Sequence, residues 1–288
     1  MLNSGGSAMV QESSLNNGIV RGSLYYAAPS ERQLFHYAYA PHGTRETNIE
    51  FVEHVVDIHD VRHSASPLRL EVEGASLINH RSAVRDFYCT DELHRIGYPE
   101  TADLVRRMTG AAEVVVFDHN IRRGGREKKA AKASDIKSPV FHIHTDFSHR
   151  SAPVRAEAVL GKALASGRRL AAINVWRPLA EPLRDCPLAL CDASSLEPSD
   201  LLETDLLYPD RTGQIYYVTF SSAHKWYYAS DMRTDEVWMF KNYDSAIDGR
   251  ARFTPHTAFV EPSRRPVAAR QSIEFRTFAF FDEQASSD

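Results

Sequence analysis

The segment Phe141-His142-Ile143-His144-Thr145-Asp146 holds the residues best suited to chemistry. Side chains two apart on a β-strand point to the same face. A strand here projects His142, His144 and Asp146 together and turns Ile143 and Thr145 away. An imidazole and a carboxylate so placed at a strand end can bind one metal ion side by side. A distant histidine would complete one face of an octahedron and leave three positions open, the facial triad of non-haem iron(II) sites. A His-x-Asp pair alone also arises as a hydrogen-bonded structural pair, so the remaining donors decide the reading.

Two downstream histidines compete for the third position. His256, in Pro255-His256-Thr257, lies fourteen residues before Arg270-Gln271-Ser272. Strand counting puts it at the start of the penultimate strand, which in a jelly roll lies beside the His-x-Asp strand. His224, in Ser222-Ala223-His224-Lys225-Trp226, is the rival, but it leaves the basic anchor too far along the chain. Arg270 and Ser272 share a face of the last strand. A guanidinium there forks onto both oxygens of a carboxylate and the hydroxyl adds a hydrogen bond, which suits the far carboxylate of 2-oxoglutarate. Arg276, in phase with Ser272, could do the same or pair with Glu274. His142 reads as pocket-lining rather than a ligand, and His149 as a surface residue.

These residues need strands to position them, and the chain supplies many. Strands are expected at Val114–Asp118, Val140–Asp146, Arg169–Trp176, Leu188–Asp192, Gln214–Phe220, Lys225–Ala229, Glu236–Tyr243, His256–Val260 and Ser272–Phe281. Leu68–Ile78 reads as a hairpin broken at Gly74. Pro99 suits a first helical turn, Ala102, Leu104, Val105 and Met108 follow at helical spacing, and Gly110 stops the helix. A second helix is expected near Ala152–Ala165. Arg122–Lys137 reads as a basic, solvated loop that could close over a site. Its charges have no interleaved aromatics, so it is no nucleic-acid patch. Many short strands with few helices predict a mainly β (α+β) fold, a double-stranded β-helix (jelly roll, cupin-like) with flanking helices. Residues 1–20 are expected to be disordered and 21–288 to form one jelly-roll domain.

Composition excludes several classes. The chain has 288 residues, 43% of them hydrophobic, and a net charge of −4, so nothing global calls for nucleic acid or an anionic membrane. No signal peptide is expected, since the first residues hold no apolar stretch, and there is no window of 18 apolar residues. Cys89, Cys186 and Cys191 are odd in number and spaced for neither zinc nor a redox pair, so they read as reduced thiols in a cytoplasmic protein. No Walker, Rossmann or nucleophile-elbow motif is present.

Several segments resemble a family of fungal and bacterial Fe(II)/2-oxoglutarate oxygenases related to gibberellin desaturase and a cephalosporin-methoxylase-associated protein. They are Asp118-His119-Asn120-Ile121-Arg122-Arg123, His144-Thr145-Asp146, Asn174-Val175-Trp176-Arg177-Pro178 and Trp226-Tyr227-Tyr228. Further matches are Lys241-Asn242-Tyr243-Asp244-Ser245, Pro255-His256-Thr257-Ala258-Phe259 and Arg270 to Arg276. The resemblance runs from about Gly22 to Phe281. It implies His144, Asp146 and His256 as ligands of Fe(II), with 2-oxoglutarate anchored by Arg270 or Arg276 and O2 as the oxidant. It implies a small apolar natural product as substrate, such as a terpenoid, polyketide-terpenoid hybrid or fungal meroterpenoid. The outcomes would be hydroxylation, desaturation, rearrangement or endoperoxide formation. Asn174 and Trp176 share one face of a strand and, by the same resemblance, line the substrate pocket; ordinary core packing is the alternative. A homodimer, or a heterodimer with a related oxygenase, is expected. A non-catalytic supporting subunit and a cupin-type metal isomerase that does not use 2-oxoglutarate are the rival functions.

Overall fold

The computed structural model describes residues 18–38, 46–124, 136–161, 167–261 and 268–282. Fifteen strands run in chain order: β1 (Ile19–Ala27), β2 (Leu34–Tyr37), β3 (Phe51–Asp60), β4 (Ala75–Asn79), β5 (Glu113–Arg123), β6 (Ile136–Lys137), β7 (His144–Thr145), β8 (Arg169–Pro178), β9 (Leu188–Cys191), β10 (Leu201–Leu207), β11 (Thr212–Val218), β12 (Trp226–Tyr228), β13 (Glu236–Asp244), β14 (His256–Ala258) and β15 (Gln271–Phe281). They form a nine-stranded sheet, β1-β3-β12-β9-β14-β7-β11-β10-β2, and a six-stranded sheet, β4-β13-β8-β15-β5-β6. Long crossovers place β7, β9 and β14 side by side, as a jelly roll requires.

Alternation assigns each face of the six-stranded sheet. Ile173 and Val175 of β8, Val237 and Met239 of β13, and Ile273 and Phe275 of β15 pack outward against Leu104 and Val105 of the helix Tyr98–Thr109. Gly110, at φ 71°, ends that helix as expected, but Pro99 does not start it: the helical turns Thr90–Glu92 and Leu93–Gly97 run directly into it. The residues between them face the other sheet. Trp176, Trp238 and Phe240 meet Leu188 and Leu190 of β9. Ala172, Phe278 and Phe280 meet Phe147 and Tyr216. The inward face thus also carries Asn174, Ser272, Glu274 and Arg276, polar side chains in an otherwise apolar interface. At the bulge beside Lys241, the sheet holds a buried ion cluster. Lys241 Nζ donates to Asp244 at 2.8 Å and Glu71 at 2.6 Å, and Arg169 forks onto Asp244.

The structure departs from the sequence expectation at several elements. Leu68–Ile78 is no hairpin. Arg69 carbonyl accepts from Val72, Glu73 and Gly74 in one tight turn, and β4 alone follows. Gly74 sits at φ +82°, and a Cβ there would lie 2.2 Å from Thr254 Oγ1, so both conformation and space demand glycine. β10, LLETDLL, was not foreseen: only Thr204 is buried, and its apolar residues do not alternate. The expected disordered stretch 1–20 overlaps β1 at Ile19 and Val20, while residues 1–17 lie outside the described residues. The basic loop 122–137 is strand at both ends, with 125–135 outside the described residues. The second helix spans Ser151–Leu160, shorter than expected. All three cysteines are free. Among the described residues no helix is long and apolar enough to cross a membrane.

Candidate active site

The strand expected over Val140–Asp146 is paired by its backbone in pieces, and that creates the site. Ile143 N–H bonds to Tyr25 carbonyl, and only His144 and Thr145 join the ladder as β7. Asp146 leaves it, and its N–H bonds to Asn242 Oδ1 at 2.9 Å. β7 lies between β11 and β14, and His144 stands directly opposite His256. Ligand atoms of His144, Asp146 and His256 lie within 4.8 Å of one another. His144 Nε2 is 3.9 Å from Asp146 Oδ1.

The donor set suits a divalent cation. His144 Nδ1 lies 2.8 Å from His142 carbonyl and His256 Nδ1 lies 3.2 Å from Thr254 carbonyl. A carbonyl only accepts, so each Nδ1 carries the proton and each Nε2 keeps its lone pair for a metal. Burial, then the His256 neighbour, pushes His144 down to about 3, and burial lowers His256 too, so both imidazoles are neutral. Burial alone would raise Asp146. Arg276, and then the hydrogen bond from the Asn174 amide, oppose it and hold the carboxyl below the usual carboxylate range. Asn174 Nδ2 donates to Asp146 Oδ2 at 2.7 Å, and Arg276 Nε lies 3.2 Å from the same oxygen.

His224 is elsewhere. It pairs with Asp200 at 3.0 Å and stacks on Tyr26. His142 stacks flat on Phe51, with centroids 3.6 Å apart, and lines neither cavity beside Asp146; its carbonyl orients His144. The two anchor candidates part company. Arg276 engages Asp146, Glu274 and Asp118. Arg270 is buried, with Nε on Ser272 Oγ at 3.0 Å, Nη1 on Cys186 carbonyl at 2.7 Å, and its guanidinium 4.9 Å from the Trp176 ring centroid. Its Nη2 makes no hydrogen bond among the described residues. Arg270 and Trp176 line a narrow cleft together with His144, Asp146 and His256. Asn174 is therefore a partner of Asp146, while Trp176 forms a wall of the cleft.

Sequence reasoning passed over Asn242, Arg122 and Glu274 as site residues. Asn242 reaches the site only because the bulged end of β13 lies beneath Asp146. Arg122 stands opposite Ser272 across the β5–β15 ladder and lines the same cleft. Burial, then the Asp146 charge, raises Glu274 above the ordinary glutamate range.

A jelly roll carrying two imidazoles and one carboxylate on a shared face has a donor set that could hold one metal ion. The comparisons agree. A family model described as an oxidoreductase/YMDC permease-like domain matches residues 24–280. The hydroxylase/desaturase efuI of Hormonema carpetanum is 33% identical over 272 residues, 84% of this chain and 89% of that protein. The Fe(II)/2-oxoglutarate-dependent dioxygenase nvfI of Aspergillus novofumigatus is 29% identical, over 88% of this chain and 92% of that one. A solved structure of the iron and alpha-ketoglutarate-dependent endoperoxidase NvfI superposes with a TM-score of 0.82 at 27% identity, covering 92% of this chain and 98% of that chain. The chain belongs to this family of Fe(II)/2-oxoglutarate-dependent dioxygenases, and it is an oxidoreductase.

Proposed function

We propose that His144, Asp146 and His256 hold one Fe(II) and that Arg270, supported by Ser272, receives the far carboxylate of 2-oxoglutarate. One observation carries this: His144 and His256 meet across a ladder with both Nε2 atoms free, beside an ionised Asp146 and within one cleft of a buried guanidinium. With 2-oxoglutarate and O2, iron at this site supplies the oxidising power to remove a hydrogen atom from an unactivated carbon.

The chain's own residues position and protect. The two carbonyl acceptors lock the imidazole planes. Asn174, Asn242 and Arg276 fix the Asp146 carboxylate and keep it charged. Cys186 carbonyl, Ser272 and Trp176 hold Arg270 in place, so little ordering remains when a carboxylate arrives. At about 20 Å³ the cleft holds little more than one water molecule. Seating a five-carbon dicarboxylate therefore requires Arg122, the other arginine of the cleft, to draw back while Arg270 stays in place. Buried Trp176 and Leu188 at the cleft wall exclude water from the reacting centre.

The substrate is a small, largely apolar natural product, and its placement over the metal selects hydroxylation, desaturation, rearrangement or endoperoxide formation. The relatives named as hydroxylase/desaturase and endoperoxidase support this reading. Anaerobic titration with Fe(II) and 2-oxoglutarate tests it. One iron should bind per chain, with a weak visible charge-transfer band, and Asp146→Ala should lose both. Substrate-dependent succinate release by that variant at the native rate would overturn the assignment.

A further inference from the structure

We propose that the organic substrate is an amphipathic acid, its apolar body filling the cavity on the flank of Asp146 and its carboxylate meeting Arg155 and Arg211. This rests on the metal site proposed above and adds a substrate class to it.

The cavity has a volume of about 580 Å³ and reaches Asp146 and Arg276, so it touches one of the three proposed metal ligands without including Arg270. Phe117, Phe147, Val154 and Ile215 supply its apolar wall. Its charges do not balance. Lys137, Arg150, Arg155, Arg211 and Arg276 line it, against the carboxylates of Asp118, Asp146 and Asp205. Arg276 takes Asp146 and Asp118, Arg150 pairs with Glu203, and Asp205 accepts from the Gln33 amide. Lys137, Arg155 and Arg211 are left without an ion-pair partner among the described residues. Lys137 has only the neutral Asn120 Oδ1, at 2.8 Å.

Each of the two arginines also rests against an aromatic ring. Arg211 lies 3.7 Å over the Tyr208 ring and Arg155 lies 5.9 Å from the Phe117 centroid. A guanidinium stacked on an aromatic face keeps its in-plane N–H donors available for a fork onto two oxygens. Solitary surface arginines are normally just solvated. These share a cavity that reaches a proposed metal ligand and that also has apolar side chains in its wall. 2-Oxoglutarate is not the occupant this space fits, being far smaller and having Arg270 in the separate cleft.

The test uses the full chain loaded anaerobically with Fe(II) and 2-oxoglutarate. The probes are decanoate, 1-adamantanecarboxylate and abietate, each beside its methyl ester, with binding read by calorimetry and the visible band recorded throughout. At least one acid should bind about tenfold or more tightly than its ester, the scale of one charge-assisted fork. The preference should weaken as salt is raised. It should vanish in Arg155→Ala/Arg211→Ala, while the band persists. Binding of none of the acids, equal binding of acid and ester, or survival of the preference in the double variant would overturn the proposal. So would loss of the band on adding acid, which would mean the probe has displaced 2-oxoglutarate. A band that never forms, before any probe is added, would instead count against the metal-site reading.

Discussion

His144 and His256 are direct partners across the β7–β14 ladder, their ring centroids 4.4 Å apart. Directly opposed residues hold their Cβ atoms about 5 Å apart, so one strand register fixes both imidazoles at once. Asp146 then needs only to follow His144 by two residues. The arrangement of the three candidate ligands is a property of the sheet, and they should fail together.

His144→Ala and His256→Ala should each reduce bound iron to near zero while circular dichroism stays native. His224→Ala should retain iron and cost about 1 kcal/mol of stability, since it removes one of the two hydrogen bonds at Asp200 Oδ2 and leaves the one from Glu197 N–H. Metal analysis of the three purified variants checks this. Loss of iron in His224→Ala alone would reverse the ligand assignment.

Asn174 and Asn242 touch Asp146 by side chain and by backbone respectively. Asn174→Ala and Asn242→Ala should weaken Fe(II) affinity by about 10- to 100-fold, the usual effect of removing a group that orients a ligand. Competition with a fluorescent chelator measures it. Unchanged affinity in both variants would show that Asp146 is held by Arg276 alone.

Arg270 and Arg276 should separate in their effects. Arg270→Lys keeps the charge but loses the fork and the stacking on Trp176, so KM for 2-oxoglutarate should rise about 100-fold with iron retained. Arg276→Lys should chiefly weaken iron, because Arg276 braces Asp146. Paired measurements of KM and iron content on both variants decide between them.

Lys241→Met should destabilise the fold by about 3–5 kcal/mol, the cost of breaking a buried ion cluster from one side. Burial would raise Asp244, but the hydrogen bonds from Arg169 and Lys241 outweigh it and lower its carboxyl below the ordinary value of 3.8. A lowered folded-state value contributes stability that is present above 3.8 and lost as pH falls through the folded value. The variant should therefore begin to unfold at a higher pH on acid titration. Urea melts at neutral and acid pH check both signs, and an unchanged acid transition would contradict the account.

Much of the site was legible because its signals are local. His144-Thr145-Asp146 and Arg270-Gln271-Ser272 each put two functional groups on one face through the two-residue period of a strand. Gly110 ended a helix by backbone chemistry alone, whereas Pro99 sits inside a helical run that begins at Thr90. Where local signals failed, the cause was also physical. β10 has little buried apolar surface, so its pairing with β11 and β2 rather than its pattern makes it a strand. The Arg69–Gly74 turn is held by three N–H groups converging on one carbonyl, which alternation cannot reveal.

The sequence by itself determined the donor types, their order and which neighbours share a face, because covalent spacing and strand geometry act over a few residues. Only the tertiary structure decided that His256 rather than His224 stands opposite His144, that Arg276 braces Asp146 while Arg270 faces the cleft, and that Asn242 holds the Asp146 backbone. Those outcomes depend on register between segments up to 130 residues apart. Register is set by the packing of two whole sheets, and chain spacing does not encode it.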